Sequence, residues 1–251
     1  MRILLTNDDG ANAEGIKVLF QELNKHHDVL LVAPDREQSA SSHSLTLTRP
    51  LRLNELGRKQ YSCDGTPTDS VMLALLKLMN KSRRPDMVIS GINHGANMGE
   101  DILYSGTVAA AIEGSQFGIP SIAVSMVDAE KADFKAAARF VRRFIKMVPT
   151  LKVGNGTIFN INLPGKIRDG FKKFEFTFLG SRKYDDIIIE QEDPRGIPYY
   201  WIAGSATWKD QDGSDINAIK SGAVSITPVK LNFTDSAVLR DLLTRPHKLP
   251  R

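Results

Sequence analysis

Met1-Arg-Ile-Leu-Leu-Thr-Asn-Asp-Asp-Gly10 is the stretch from which the rest of the chain is read. Ile3, Leu4 and Leu5 form an apolar run too short for a helix, and Asn7, Asp8, Asp9 and Gly10 stop it. That pattern predicts a buried strand that empties into a polar loop. Two like charges ~4 Å apart repel by about 4 kcal/mol at an effective dielectric of ~20, so adjacent carboxylates at a strand mouth are not placed there for stability. A divalent cation is the simplest counter-charge. A solvated Asn-Asp-Asp-Gly turn is the alternative, because these are turn residues.

Outward from this strand, the apolar residues Ile16, Val18, Leu19, Phe20 and Leu23 predict a helix over 14–25. Residues 29–33, VLLVA, predict a second buried strand. Strand, helix and strand in so few residues make a βαβ unit with parallel strands and a right-handed crossover. Residues 45–48 and 51–53 alternate as a short hairpin would, with 60–63 as a pairing partner. Thr66, Pro67 and Asp69 form a helix start, since Thr caps, Pro suits the first turn and Asp complements the dipole. Apolar residues 71–79 continue it. Further strands are predicted at 87–90, 119–125 and 157–161, with helices at 108–113 and 132–148 between them. The chain thus reads as an α/β fold, an open and mostly parallel sheet in a three-layer, Rossmann-like core over 1–165. Residues 166–251 read as a β-rich extension packed with the core as one unit. Its stretch from about 170 to 215 is an extended β-hairpin arm with exposed aromatics, fit to pack against another subunit. A last helix is expected over 235–243.

Ligands of an open parallel sheet bind beyond the carboxyl ends of its strands. Three loops leave those ends here, carrying Asp8 and Asp9, then Ser39, then Asn93 and Asn97. Carboxylate, hydroxyl and amide oxygens suit Mg2+, Mn2+ or Ca2+, not zinc or copper. Ser105-Gly106-Thr107 opens a helix, and free N–H groups with two hydroxyls make an anion site. Ordinary N-capping is the plainer reading of those hydroxyls. A cation site beside a helix start is what a phosphate needs. His43 and His94 lie in the same loops and are candidates to touch substrate.

Other chemistries lack their motifs. No GxGxxG follows a strand, and there is no GxxxxGK[ST] or GxSxG. Phosphatases with an aspartyl nucleophile need two aspartates one residue apart, whereas Asp8 and Asp9 are adjacent. The single cysteine, Cys63, excludes an internal disulfide and reads as a small core residue. The 251 residues are 41% hydrophobic and carry a net charge of +4 without a basic, aromatic-rich tract, which suits small anions and argues against nucleic acid. No apolar run approaches ~20 residues, so neither a membrane span nor an export signal is expected and the cytoplasm is the default.

With these residues in place the chain resembles the survival protein SurE family of metal-dependent nucleotidases. The resemblance rests on ILLTNDDG (3–10), VAPDREQSA (32–40), GTPTD (65–69), SGINHGANMG (90–99), YSGTVAAAIEG (104–114) and DPRG (193–196). It implies a SurE-like fold with a swapped hairpin, a dimer or tetramer, and hydrolysis of nucleoside 5'- or 3'-monophosphates, with short polyphosphate as a further substrate. It also implies one divalent ion per subunit on Asp8, Asp9, Ser39 and Asn93. Asp8 and Asp9 are then catalytic, and Asn97, Ser105, Gly106 and Thr107 face the phosphate, with His43 beside the substrate. The chain departs from the family pattern at Glu14 and Ala96, where proline is common, and at His43, often asparagine. A sensor that binds a nucleotide without cleaving it would use the same loops.

Overall fold

The computed structural model describes residues 1–79, 84–128, 132–165 and 173–245, without the side chains of 183–186 and 204–206. The first residues of the expected extension from 166, and of its arm from about 170, therefore lie outside the described residues.

The strands are β1 (Arg2–Thr6), β2 (Asp28–Pro34), β3 (Leu53–Gly57), β4 (Gln60–Cys63), β5 (Met87–His94), β6 (Ser121–Met126), β7 (Thr157–Leu163), β8 (Phe174–Phe176), β9 (Arg182–Glu192), β10 (Pro198–Trp208) and β11 (Val224–Lys230). All but β9 and β10 form one sheet in the order β3-β4-β2-β1-β5-β6-β7-β11-β8. The run from β4 to β7 is parallel throughout. Beyond it β11 lies antiparallel to β7, and β8 parallel to β11, so the sheet continues past residue 165.

Helices α1 (Glu14–Leu23) and α4 (Phe134–Phe144) cover one face, and α2 (Pro67–Leu73) with α3 (Gly106–Gln116) cover the other. The alternation of β1 decides the layers. Ile3 and Leu5 belong to the α1/α4 core, and Leu4 belongs to the α2/α3 core. All three are fully buried, worth about 1.5–3 kcal/mol each. Thr66 caps α2 as expected, its Oγ1 accepting from Asp69 N at 3.1 Å while Asp69 Oδ2 accepts from Thr66 N at 2.8 Å. Glu14, in place of proline, puts a carboxylate in the first turn of α1, where the helix dipole favours it. Cys63 is buried, and burial pushes its thiol up to about 11.

The central strand is β1, with β2 on one side and β5 on the other. The chain leaves β1 for β2 and later returns to the opposite side, which opens a crevice at the carboxyl end of β1. Asp8 and Asp9 stand at that end.

Several boundaries differ from the sequence reading. Residues 45–48 form no strand; the hairpin with β4 is β3, further along. Strand β5 runs beyond residue 90 to His94. Gly91 allows it, at φ +137° and with room for no Cβ, which would lie 2.3 Å from Val124 O. The register to β6 breaks there and resumes with Asn93 opposite Ser125. Asn93 is thus held by a bulged strand and not by a loop. A 3₁₀ turn, Gly99–Leu103, and a short helix α5, Asp215–Lys220, lie outside the elements that the sequence predicts.

The arm is shorter than the stretch of about 170 to 215 read from the sequence. β9 and β10 pair in antiparallel fashion from Arg182 opposite Trp208 to Glu192 opposite Pro198. Asp193 shapes the tip, its Oδ1 accepting from the N–H groups of Arg195 and Ile197 at 2.8 and 3.0 Å. Ile187, Ile188, Ile189, Tyr200, Trp201 and Ile202 are exposed, Ile202 at 85%. At the base, Arg182 pairs with Asp101 and lies over the Trp208 ring at 4.5 Å, and Asp215 accepts from Gly99 N at 2.9 Å and Gly180 N at 2.8 Å. The arm is therefore tied to the turn that precedes α3. The last helix, α6 (Ser236–Leu243), has no buried residue. Among the described residues no helix is long and apolar enough to cross a membrane.

Candidate active site

The crevice is built from the ends of β1, β2 and β5 and the start of α3. Backbone bonds stitch the first two loops together: Gln38 N donates to Asp8 O at 2.8 Å, and Ala11 N to Pro34 O at 2.7 Å. Asp8 is 4% exposed. Its Oδ1 accepts the Thr107 hydroxyl, and it lies against the first turn of α3. Gly106 makes that approach possible, since a Cβ there would sit 2.9 Å from Asp8 Cβ and 2.8 Å from Ser41 Oγ. Asp8 thus rests on the positive end of α3.

Burial raises the Asp8 carboxyl above its ordinary range, against the opposing pull of Thr107. Asp9 rises from 3.8 to about 7, by burial first and then by the charge of Asp8. His94 N donates to both Asp9 oxygens, at 3.2 and 3.4 Å. Glu37 adds negative charge to both aspartates. Among the described residues neither aspartate has an ion-pair partner. A buried carboxylate with a half-buried one beside it is costly unless the two are paired or coordinate a cation.

The remaining donors fit a hard cation. Asn93 Nδ2 donates to Gly95 O at 3.0 Å, which leaves Oδ1 as its acceptor. Ser39 is exposed and donates to Glu37 Oε1 at 2.5 Å. Among the described residues no group of three or more His, Cys, Asp or Glu could hold a metal. A cation here would rest on the aspartates with hydroxyl and amide oxygens, a set suited to Mg2+, Mn2+ or Ca2+.

The expected phosphate-facing residues divide. Ser105 caps α3, its Oγ accepting from Val108 N at 3.1 Å, and Gly106 follows it in the crevice. Thr107 is fully buried, with its hydroxyl on Asp8. Asn97 is built into the scaffold. Its carbonyl accepts from Asn160 Nδ2 and Asn162 Nδ2 at 2.7 and 2.9 Å, its N–H donates to Asn162 Oδ1 at 2.9 Å, and its Nδ2 donates to Ser125 Oγ at 2.8 Å. Among the described residues one amide hydrogen of Asn97 is left over. His43 lies along the flank of α3, its Nε2 2.8 Å from Glu113 Oε2.

Sequence reasoning misses Ser41. Its Oγ is buried beside Gly106 and Asp8 and has no hydrogen-bond partner among the described residues. Only the serine run at 39–44 hints at it. The Glu113 contact to His43 has no local signal, because the two are 70 residues apart.

The comparisons agree with this architecture. The family model for the survival protein SurE matches residues 3–186. A protein of Geotalea daltonii named 5'-nucleotidase SurE is 45% identical over 94% of this chain and 95% of its own. One of Nitrosococcus oceani with the same name is 44% identical over the full length of both. The crystal structure of the SurE protein from Aquifex aeolicus is 38% identical, covers 97% of this chain and 99% of its own, and superposes with a TM-score of 0.86. On this match in sequence and fold, the chain belongs to the survival protein SurE family.

Proposed function

We propose that the chain is a divalent-metal-dependent 5'-nucleotidase that hydrolyses nucleoside monophosphates to nucleoside and phosphate. The observation that carries this reading is the adjacent pair of buried Asp8, set on the first turn of α3, and half-buried Asp9, neither with a described cationic partner. The relatives named 5'-nucleotidase SurE support the substrate. A bound divalent cation would supply charge neutralisation for the phosphoryl oxygens and ease deprotonation of water.

The chain's own residues do the rest. Asp8 and Asp9, with Ser39 and Asn93, hold the cation. Asp8 or Asp9 orients or deprotonates the attacking water, the general-base role of a carboxylate within reach of it. Thr107 fixes the Asp8 carboxylate in place. The first-turn N–H groups of α3, the unpaired Ser41 hydroxyl and the spare Asn97 hydrogen receive the phosphoryl oxygens. These groups read the phosphoryl and not its position on the sugar, so 3'-monophosphates and short polyphosphate are secondary substrates. The exposed apolar arm joins subunits into a dimer or tetramer, and the protein acts in the cytoplasm. Asp8→Asn removes nearly all phosphate release while the circular dichroism and melting profile remain those of a folded protein. A folded Asp8→Asn variant turning over at the wild-type rate would overturn the assignment.

A further inference from the structure

We propose that the cavity flanking α3 is the subsite for the nucleoside of the substrate, with Phe233 as its stacking surface and His43 as its polar reader. This rests on the phosphomonoesterase reading and extends it to the part of the substrate that does not react. The cavity measures about 540 Å³, within the range of small-ligand sites, about 300–1,000 Å³. It begins at Ser105, the residue that caps the helix start in the crevice, and continues past Ala109 and Ile112 on the same face of α3. That length of helix gives it a run of about 10 Å. A ligand whose phosphate lies on the first turn of α3 can therefore extend its sugar and base along this face of the helix.

The lining suits a base. Ile102, Leu103, Leu179 and Val229 make apolar walls, and Phe233, 79% exposed, presents a ring free for stacking. His43 stands in the wall with Nε2 on the buried Glu113 carboxyl. That contact occupies Nε2 and leaves Nδ1 as the ring nitrogen that a base can meet. The loop over 39–43 crosses the start of α3, with Ser41 beside Asp8 and Gly106, and Ser42 and His43 on the cavity side. One loop thus serves both ends of the substrate.

The test compares a nucleoside monophosphate with ribose 5-phosphate, which lacks the base, in wild type, Phe233→Ala and Ile112→Trp. The ratio of the two kcat/KM values should fall about tenfold in Phe233→Ala, the scale of one lost base–aromatic stack, and further in Ile112→Trp. An unchanged ratio in both folded variants, with wild type hydrolysing both substrates, would overturn the cavity assignment and leave the phosphatase standing. A changed oligomeric state on sedimentation with an unchanged ratio would give the cavity to a second copy, and also overturns it. If wild type hydrolyses neither substrate, the phosphatase reading has failed. Equilibrium dialysis with labelled nucleoside then decides the cavity, with saturable binding lost in Ile112→Trp as the supporting result and no binding to wild type as the opposing one.

Discussion

Replacing Asp9 with asparagine should make the metal-free protein more stable and inactive. In the folded chain Asp9 titrates near 7 instead of 3.8, so over that window the folded state holds a proton that the unfolded state has lost. Stability then falls as pH rises from 3.8 towards 7, and the loss is complete above 7. A gap of about three pH units at about 1.4 kcal/mol each makes this about 4 kcal/mol, an upper figure because solvent still reaches one side of the group. Between pH 5 and pH 8 the part still to be lost is about 3 kcal/mol. The asparagine amide has no proton to lose, and the replacement also removes the repulsion on Asp8. Urea unfolding in chelator should therefore show Asp9→Asn a few kcal/mol more stable than wild type at pH 8, with a much smaller gap near pH 4. A saturating divalent cation should close the gap by stabilising wild type alone, since a ligand at 100 times its Kd adds about 2.7 kcal/mol. Equal stability of the two proteins at pH 8 in chelator, with the same slope between pH 5 and pH 8, would refute the claim that this carboxylate is buried at a cost.

Two further outcomes follow from the contacts of the arm. Asp215→Ala leaves the N–H groups of Gly99, Gly180 and Ile216 without their acceptor; at about 1–3 kcal/mol per unpaired buried group, urea unfolding should show a loss of about 3 kcal/mol or more, and a loss under about 1 kcal/mol would contradict the clamp. Ile202→Lys, at the most exposed apolar site of β10, should break the assembly, and sedimentation should move the protein to monomer; an unchanged sedimentation coefficient would remove the arm from the subunit interface.

Local pattern carries the strands and helices that lie wholly in the core. β1 and β2 are apolar runs closed by polar residues, and that feature places the aspartates at strand mouths. Their neighbours in space are less legible. The sequence puts Asn93 in the loop after a strand that ends at residue 90, whereas Gly91 permits a register break and the strand resumes. The bonds of Asn97 to Asn160 and Asn162 come from β7, and no spacing within a loop announces a scaffold role. The carboxyl of Asp215 joins Gly99 and Gly180, two segments far apart in the chain, so its partners emerge only with the fold. The arm is legible as an arm, but its reading from about 170 to 215 overruns the hairpin, because β8 before it belongs to the main sheet.

The central claim is tested most directly by phosphate release from nucleoside 5'-monophosphates, using protein stripped with chelator and given back Mg2+, Mn2+ or Ca2+ one at a time. The account predicts no release from the stripped protein, and restoration by at least one of these cations. Release that persists undiminished in chelator would contradict the metal dependence, and no release with any cation from folded protein would contradict the hydrolase itself.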